Sequence, residues 1–397
     1  MKQIKLRFPE FVDDWKPYKV SEITNFHKQG FYTTEEYCND KKYYLLRETD
    51  LSNNRLQLND TPKINATEKD YQAFKVKTGD FLVLRSGTVG TYGIVYQEIP
   101  AIFGSYLINF RFDHSKVKNE FFGYFYQSDL FKRQLNKIIQ QSANTNINAE
   151  NIKSTIIQLP SLNEQEKIST LLNNLDNLIQ SVEKELEGDR ELKQCMLQKM
   201  FPKKGETVPE IRFPEFNGEW EEHKLGDIAT FINGRAYSQN ELLDCGKYKV
   251  LRVGNFYTND SWYYSDMELD DKYYAEKGDL LYTWSATFGP HIWDGERVIY
   301  HYHIWKVELS DSLEKLFAVQ LLENDKQSII SDKNGSTMVH ITKKGMENKI
   351  VMLPSSIEEQ IKIGKLFQQI ENLIASQQQE LDGYKELKKG LLQQMFC

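Results

Sequence analysis

A chain of 397 residues with 40% hydrophobic content has material for two domains of ordinary size and connecting elements. Its net charge of −7 is unlike that of a simple nucleic-acid binder, and it is unevenly spread: residues 1–205 carry 29 Lys+Arg and 26 Asp+Glu, residues 206–397 carry 21 and 31. Any polyanion contact must come from local patches or be shared with basic partners. No apolar run is long enough for a membrane span, and the opening MKQIKLRFPE has no apolar signal core, so the expected compartment is the cytoplasm. Cys38, Cys195, Cys245 and Cys397 show no paired spacing, which predicts buried or incidental thiols and neither a disulfide framework nor a zinc ribbon.

Taken in chain order, the sequence is written twice. RFPEFVDDWKPYKVSEI (7–23) returns as RFPEFNGEWEEHKLGDI (212–228), at an offset of 205. YYLLRETDL (43–51) is answered by YKVLRVGNF (248–256), which sets Arg47 opposite Arg252. KTGDFLVLRSGTVGTYGIV (77–95) is answered by EKGDLLYTWSATFGPHIW (276–293), now at an offset of 199. The runs DFLVLRS, YGIVYQ, YLINFRF, DLLYTWS and RVIYHYHIWKVEL are rich in β-branched and aromatic residues between turn residues, and predict strands. The segments 119–139 and 312–330 predict corresponding helices, so each globular part reads as mixed α/β.

Each copy closes on a long helix: LPSLNEQEKISTLLNNLDNLIQ and onward matches LPSSIEEQIKIGKLFQQIENLI and onward at an offset of 195. Apolar residues recur at 3,4-spacing at Ile168, Leu172, Leu175, Ile179, Val182 and Leu186, and again at Ile363, Phe367, Ile370, Ile374 and Leu381. A seam this narrow needs a partner helix, and the other copy is the obvious one. Packing of each stripe on its own globule is the competing reading. With the order globule, helix, globule, helix, the expected fold is α+β: two mixed α/β domains, each followed by a long helix, with the helices paired as an antiparallel coiled coil of pseudo-two-fold symmetry.

The sequence offers no catalytic constellation. It contains no P-loop, no G-x-S-x-G elbow and no H-E-x-x-H helix. GTVGTYG departs from the spacing of a dinucleotide loop, and ATFGPHI, its counterpart, lacks two of the three glycines. His301 and His303 would share one face of a strand without a third ligand, which predicts a packed pair and no metal site. Recognition chemistry remains. Hydroxyls, amides and guanidinium groups reach phosphates and base edges. The candidates are Arg47, Arg85, Ser86, Thr88, Thr91, Tyr92, Asn144 and Asn146 in the first copy, and Arg252, Trp284, Ser285, Thr287, His291, Ser336 and Lys343 in the second. Copies that share a scaffold but differ in these loops predict two different half-sites.

With RFPEF followed by Trp, the GDFLVLRSGTVG and GDLLYTWSATFG segments, and LPSLNEQEKI and LPSSIEEQIKI leading into long helices, the chain resembles over its full length a specificity subunit of a bacterial type I restriction-modification enzyme. The resemblance implies target recognition domains at 1–160 and 204–354, spacer helices at 161–203 and 355–397, and a bipartite double-stranded DNA target read one half per domain. It further implies docking of two modification subunits, which methylate adenine from S-adenosylmethionine, and of restriction subunits that use ATP and Mg²⁺. No cofactor, metal, membrane contact or catalysis is then expected of this chain itself. A cytosolic coiled-coil scaffold without DNA specificity is the alternative from another class.

Overall fold

The computed structural model describes residues 6–34, 40–52, 54–85, 89–140, 148–257, 259–285, 287–331 and 341–396. The chain divides into two compact units, Met1–Lys184 with Gln379–Cys397, and Glu185–Gln378.

In the first unit a six-stranded sheet runs in the order Thr24–Gln29, Leu107–Phe112, Phe81–Leu84, Tyr92–Ile94, Arg55–Leu56, Leu51–Ser52. Side chains alternate across it with period two. Phe81, Val83, Ile108, Phe110 and Phe112 enter one core, while Leu82, Leu84 and Leu107 enter another, so the central strands are apolar on both faces. Beside it, Tyr43–Leu46 pairs in parallel with Ala101–Phe103 and antiparallel with Lys63–Ile64. The helix Asn119–Gln127 lays Phe121, Phe122 and Phe125 on the first core. The single helix expected over 119–139 is two helices. Ser128 Oγ donates to the Phe125 carbonyl (2.6 Å) and accepts from Phe131 N–H (3.2 Å), ending Asn119–Gln127 and starting Asp129–Gln140.

The second unit repeats the plan with one sheet ordered Ala229–Asn233, Ile304–Leu309, Leu280–Thr283, Gly289–Ile292 and another ordered Tyr263–Ser265, Tyr248–Leu251, Val298–Tyr300, Tyr274–Ala275. Tyr248–Leu251 again runs parallel to Val298–Tyr300. Here the counterpart helix, Lys315–Ser331, is continuous. The run expected as one strand over 297–309 breaks into Val298–Tyr300 and Ile304–Leu309, which belong to different sheets. A turn closed by Ile304 N–H donating to the His301 carbonyl (2.9 Å) separates them. His301 and His303 therefore lie in a turn and not along a strand. Cys195 and Cys245 are free and exposed.

The long helices are Leu162–Lys199 and Ile357–Met395, 38 and 39 residues, or roughly 57 Å each at 1.5 Å per residue. Ser161 and Ser356 cap their first turns by accepting from Glu164 and Glu359 N–H, both at 3.3 Å. Within the first unit Lys388 pairs with Asp176 (2.6 Å) and Lys385 with Glu183 (2.8 Å). Within the second, Lys193 pairs with Glu371 (2.7 Å) and Arg190 donates to Gln378 (3.0 Å). In each unit rising numbers on one helix meet falling numbers on the other, so the helices pair antiparallel. Leu175, Val182, Leu186 and Leu381 are buried, and Ile179, Ile370 and Ile374 are half-buried. The first seam positions serve a second purpose. Ile168 and Leu172 join the first globular core with Met395 and Phe396, while Ile363 and Phe367 join the second with Leu197, Met200 and Phe201. Both readings of the stripe therefore hold, in different stretches of it.

Candidate nucleic-acid interface

In the first unit, the turn after Tyr43–Leu46 places Arg47 at the cap of a short 3-10 turn. Its Nη2 donates to the Asp60 carbonyl (2.9 Å), and its backbone N–H donates to Asp50, a buried carboxylate that also accepts from Thr61 Oγ1 (2.8 Å). The guanidinium is thus held in place from behind. It lines a cavity of about 450 Å³ together with Tyr32, Glu48, Thr49, Ser105 and Tyr106. Tyr32 and Tyr106 are 75% and 63% exposed. Arg85 adjoins this group, its backbone N–H donating to the Tyr106 carbonyl (2.8 Å).

Thr91 lines a different cavity of about 510 Å³, with Asn54, Gln127, Asp129 and Lys132. Tyr92, expected on a contact surface, is a core residue: it is 2% exposed and stacks on Phe81 at 4.9 Å, because its strand alternation turns the ring inward. Burial pushes its hydroxyl pKa well up. Ser86, Thr88, Asn144 and Asn146, and Ser336 of the second copy, lie outside the described residues.

The second unit fills the same place differently. The Arg85 to Tyr106 backbone bond is matched by Trp284 N–H donating to the His303 carbonyl (3.1 Å), and the parallel bridge Phe31–Gly104 is matched by Arg235–His301. Where the first unit is open, Trp284 stacks on Trp305 (5.8 Å), meets His303 edge-on (5.0 Å) and donates from Nε1 to the Tyr302 carbonyl (2.9 Å). His301 and His303 pack at 4.9 Å, and no group of metal-ligating side chains occurs among the described residues. Burial, helped by His303 and Arg252, holds His301 down to about 4.

Arg252, like Arg47, is a cap. Its guanidinium lies over Tyr263 at 4.2 Å and reaches the Ser261 carbonyl at 3.5 Å. His291 stacks on Phe256 (4.2 Å), and its Nε2 lies 3.1 Å from the Tyr257 hydroxyl. Burial, with Lys326 adding, holds His291 down to about 4, so at neutral pH it is an uncharged ring with one donor and one acceptor. Thr287 is exposed and Ser285 half-exposed on the same turn. Lys343 starts a short helix capped by Thr342 and pairs with Glu347 at 3.6 Å. Sequence reasoning missed Tyr32, Glu48 and Tyr106 in the first unit, and Phe256 and Tyr257 in the second. The available signal was an aromatic residue amid turn formers, as in GFYTT and GSYL.

Two units of one plan, each presenting polar and aromatic loops and each built onto a long helix, define a duplicated binding protein. The family model described as the type I restriction modification DNA specificity domain matches it twice, at residues 12–188 and 217–383, and the chain belongs to that family. It is a specificity subunit with two recognition domains, and the catalysis of such systems lies in partner subunits. A relative from Methanocaldococcus jannaschii, named as the MjaX specificity subunit of a type I restriction enzyme, is 23% identical over 410 residues, 98% of this chain and 94% of its own. The EcoBI specificity subunit of Escherichia coli is 25% identical over 215 residues, 52% of this chain and 44% of its own. The crystal structure of a type I restriction-modification S subunit from M. genitalium superposes with a TM-score of 0.63 at 15% identity, covering 100% of this chain and 99% of that one. A chain from a structure of a type I system, concerned with complex assembly and conformational transition, reaches 0.56 at 16% identity, covering 96% and 97%. At such identities the likeness is one of fold. No helix among the described residues is long and apolar enough to cross a membrane.

Proposed function

We propose that the chain reads a split, asymmetric target in double-stranded DNA, one half-site per unit, with the long helices fixing the spacer. It docks two modification subunits, which methylate adenine from S-adenosylmethionine, and restriction subunits that consume ATP with Mg²⁺. The observation that carries this reading is the contrast at equivalent positions: an open cavity flanked by Tyr32 and Tyr106 in the first unit, and a packed group of Trp284, Tyr302 and His303 in the second. One scaffold with two different surfaces suits two different sequences. The contacts are assigned to Arg85, Ser86, Thr88, Thr91, Asn144 and Asn146 in the first unit, and to Ser285, Thr287, His291, Ser336 and Lys343 in the second. With a net charge of −7, much of the phosphate neutralisation falls to the modification subunits, leaving register and base contacts to this chain.

Mapping of methylated adenine in DNA from cells that express the chain with its modification subunit tests the reading. The expected result is a two-part motif of unlike halves with a fixed spacer. A stable complex that methylates no such motif refutes it.

A further inference from the structure

The cavity beside Arg47 has a composition unsuited to phosphate. Among its described lining residues the one cation is Arg47, already tethered to the Asp60 carbonyl and beside Asp50. Glu48, exposed at the same cavity, adds a carboxylate that repels a backbone oxygen. A carboxylate instead accepts from the exocyclic amino group of cytosine or adenine, and the free edge of an Arg guanidinium donates to guanine O6 and N7. Tyr32 and Tyr106, largely exposed at the cavity, supply flat apolar faces for a base or a thymine methyl group. At the equivalent place the second unit carries other side chains, Tyr302 and His303 with ring centroids 3.9 Å apart, so the two half-sites differ here.

We propose that the cavity bounded by Tyr32, Arg47, Glu48 and Tyr106 is a base-reading site of the first unit, taking the edge of one or two base pairs and not the sugar-phosphate backbone. The proposal rests on the DNA-reading function above. Wild type, Glu48→Gln, Tyr106→Ala and Tyr106→Phe are each co-expressed with the modification subunit, and methylation is mapped. Glu48→Gln and Tyr106→Ala are expected to change base preference at one or two positions of one half-site, with about a tenfold loss at the original base, and to leave the other half and the spacer untouched. Tyr106→Phe, which keeps the ring, is expected to retain the wild-type motif. An unchanged motif in both Glu48→Gln and Tyr106→Ala overturns the proposal. So does a uniform drop over all sites without altered preference, the mark of a lost phosphate contact. If Tyr106→Ala abolishes methylation altogether, the isosteric Glu48→Gln at an exposed position decides. A wild-type complex that methylates no split motif refutes the DNA-reading function itself, a separate outcome.

Discussion

Arg7 and Glu164 lie 157 residues apart in the chain and meet as a two-pronged ion pair, Nε to Oε1 at 2.7 Å and Nη2 to Oε2 at 2.8 Å. Trp15 Nε1 adds a third donor at 3.2 Å. The second copy repeats the pair with Arg212 and Glu359, both bonds at 2.8 Å. The neighbouring Gln165 and Gln360 accept from Lys118 and Glu314 N–H, both at 2.9 Å, and donate to the Lys116 and Ser312 carbonyls. The doubled RFPEF is therefore one arm of a latch, and the first turn of each long helix is the other.

Because Glu164 is 1% exposed, losing its partner strands a buried carboxylate. Arg7→Met is expected to destabilise the first unit by about 3 kcal/mol, and Arg212→Met the second by a similar amount. Hydrogen exchange resolved by unit checks this. Protection should fall in the unit carrying the substitution and hold in the other.

Gly123 sits where its helix crosses Tyr92: an added Cβ would lie 2.2 Å from the ring Cζ. Gly123→Ala is therefore expected to cost about 1–3 kcal/mol through overpacking, despite the better helix propensity of alanine. Tyr92→Leu in the same chain should recover part of that loss in urea unfolding. Strictly additive costs would show that the two side chains do not compete for this space.

Asp176 gathers donors from three directions: Lys388 Nζ at 2.6 Å, the Tyr124 hydroxyl at 2.9 Å and Asn54 Nδ2 at 2.9 Å. Glu371 does the same work in the second unit, taking Lys193 at 2.7 Å and Gln320 Nε2 at 3.3 Å. A double-mutant cycle of Asp176→Asn and Lys388→Met should give a coupling of about 1–2 kcal/mol. Values near zero would mean that the lysine contributes nothing through this carboxylate.

His291 should make the second unit acid-sensitive. Folded, its pKa stands near 4, below the ordinary 6.5, so between those values the unfolded chain takes up a proton that the folded chain refuses. Its contribution is constant above pH 6.5 and is lost as pH falls from about 6.5 to about 4. Between pH 7 and pH 4.5 the wild type should lose on the order of 2 kcal/mol more unfolding free energy than His291→Asn, in which His301, held down in the same way, still titrates. An identical pH dependence in that variant would refute the assignment.

Much of the scaffold was legible because repetition exposes it. The doubled order, the long helices and their seam follow from periodicity, and the central strands from their β-branched and aromatic runs. The site was harder to read. Arg47 and Arg252 stand opposite each other in both copies, yet a linear sequence does not distinguish a guanidinium that caps a turn from one that faces a ligand. Tyr92 lay among polar loop residues, and only the strand alternation fixed by Phe81 and Phe110 turns it inward. The breaks at Ser128 and at His301 depend on one or two local hydrogen bonds that leave no periodic trace. Arg7 and Glu164 could have been paired beforehand, since opposite charges kept at matching places in both copies already hint at contact.

Met395 and Phe396 complete a core whose other members begin at Val20. The first unit is thus stitched from two distant stretches, whereas the second, Glu185–Gln378, is continuous. Closing a contact across such a separation costs more chain entropy and comes late in folding. On the ribosome the order of completion is accordingly reversed: the half that emerges second is the first with all its contacts in hand, and the half that emerges first waits, with Phe121 and Phe125 still lacking Phe396, for residues more than 260 positions downstream.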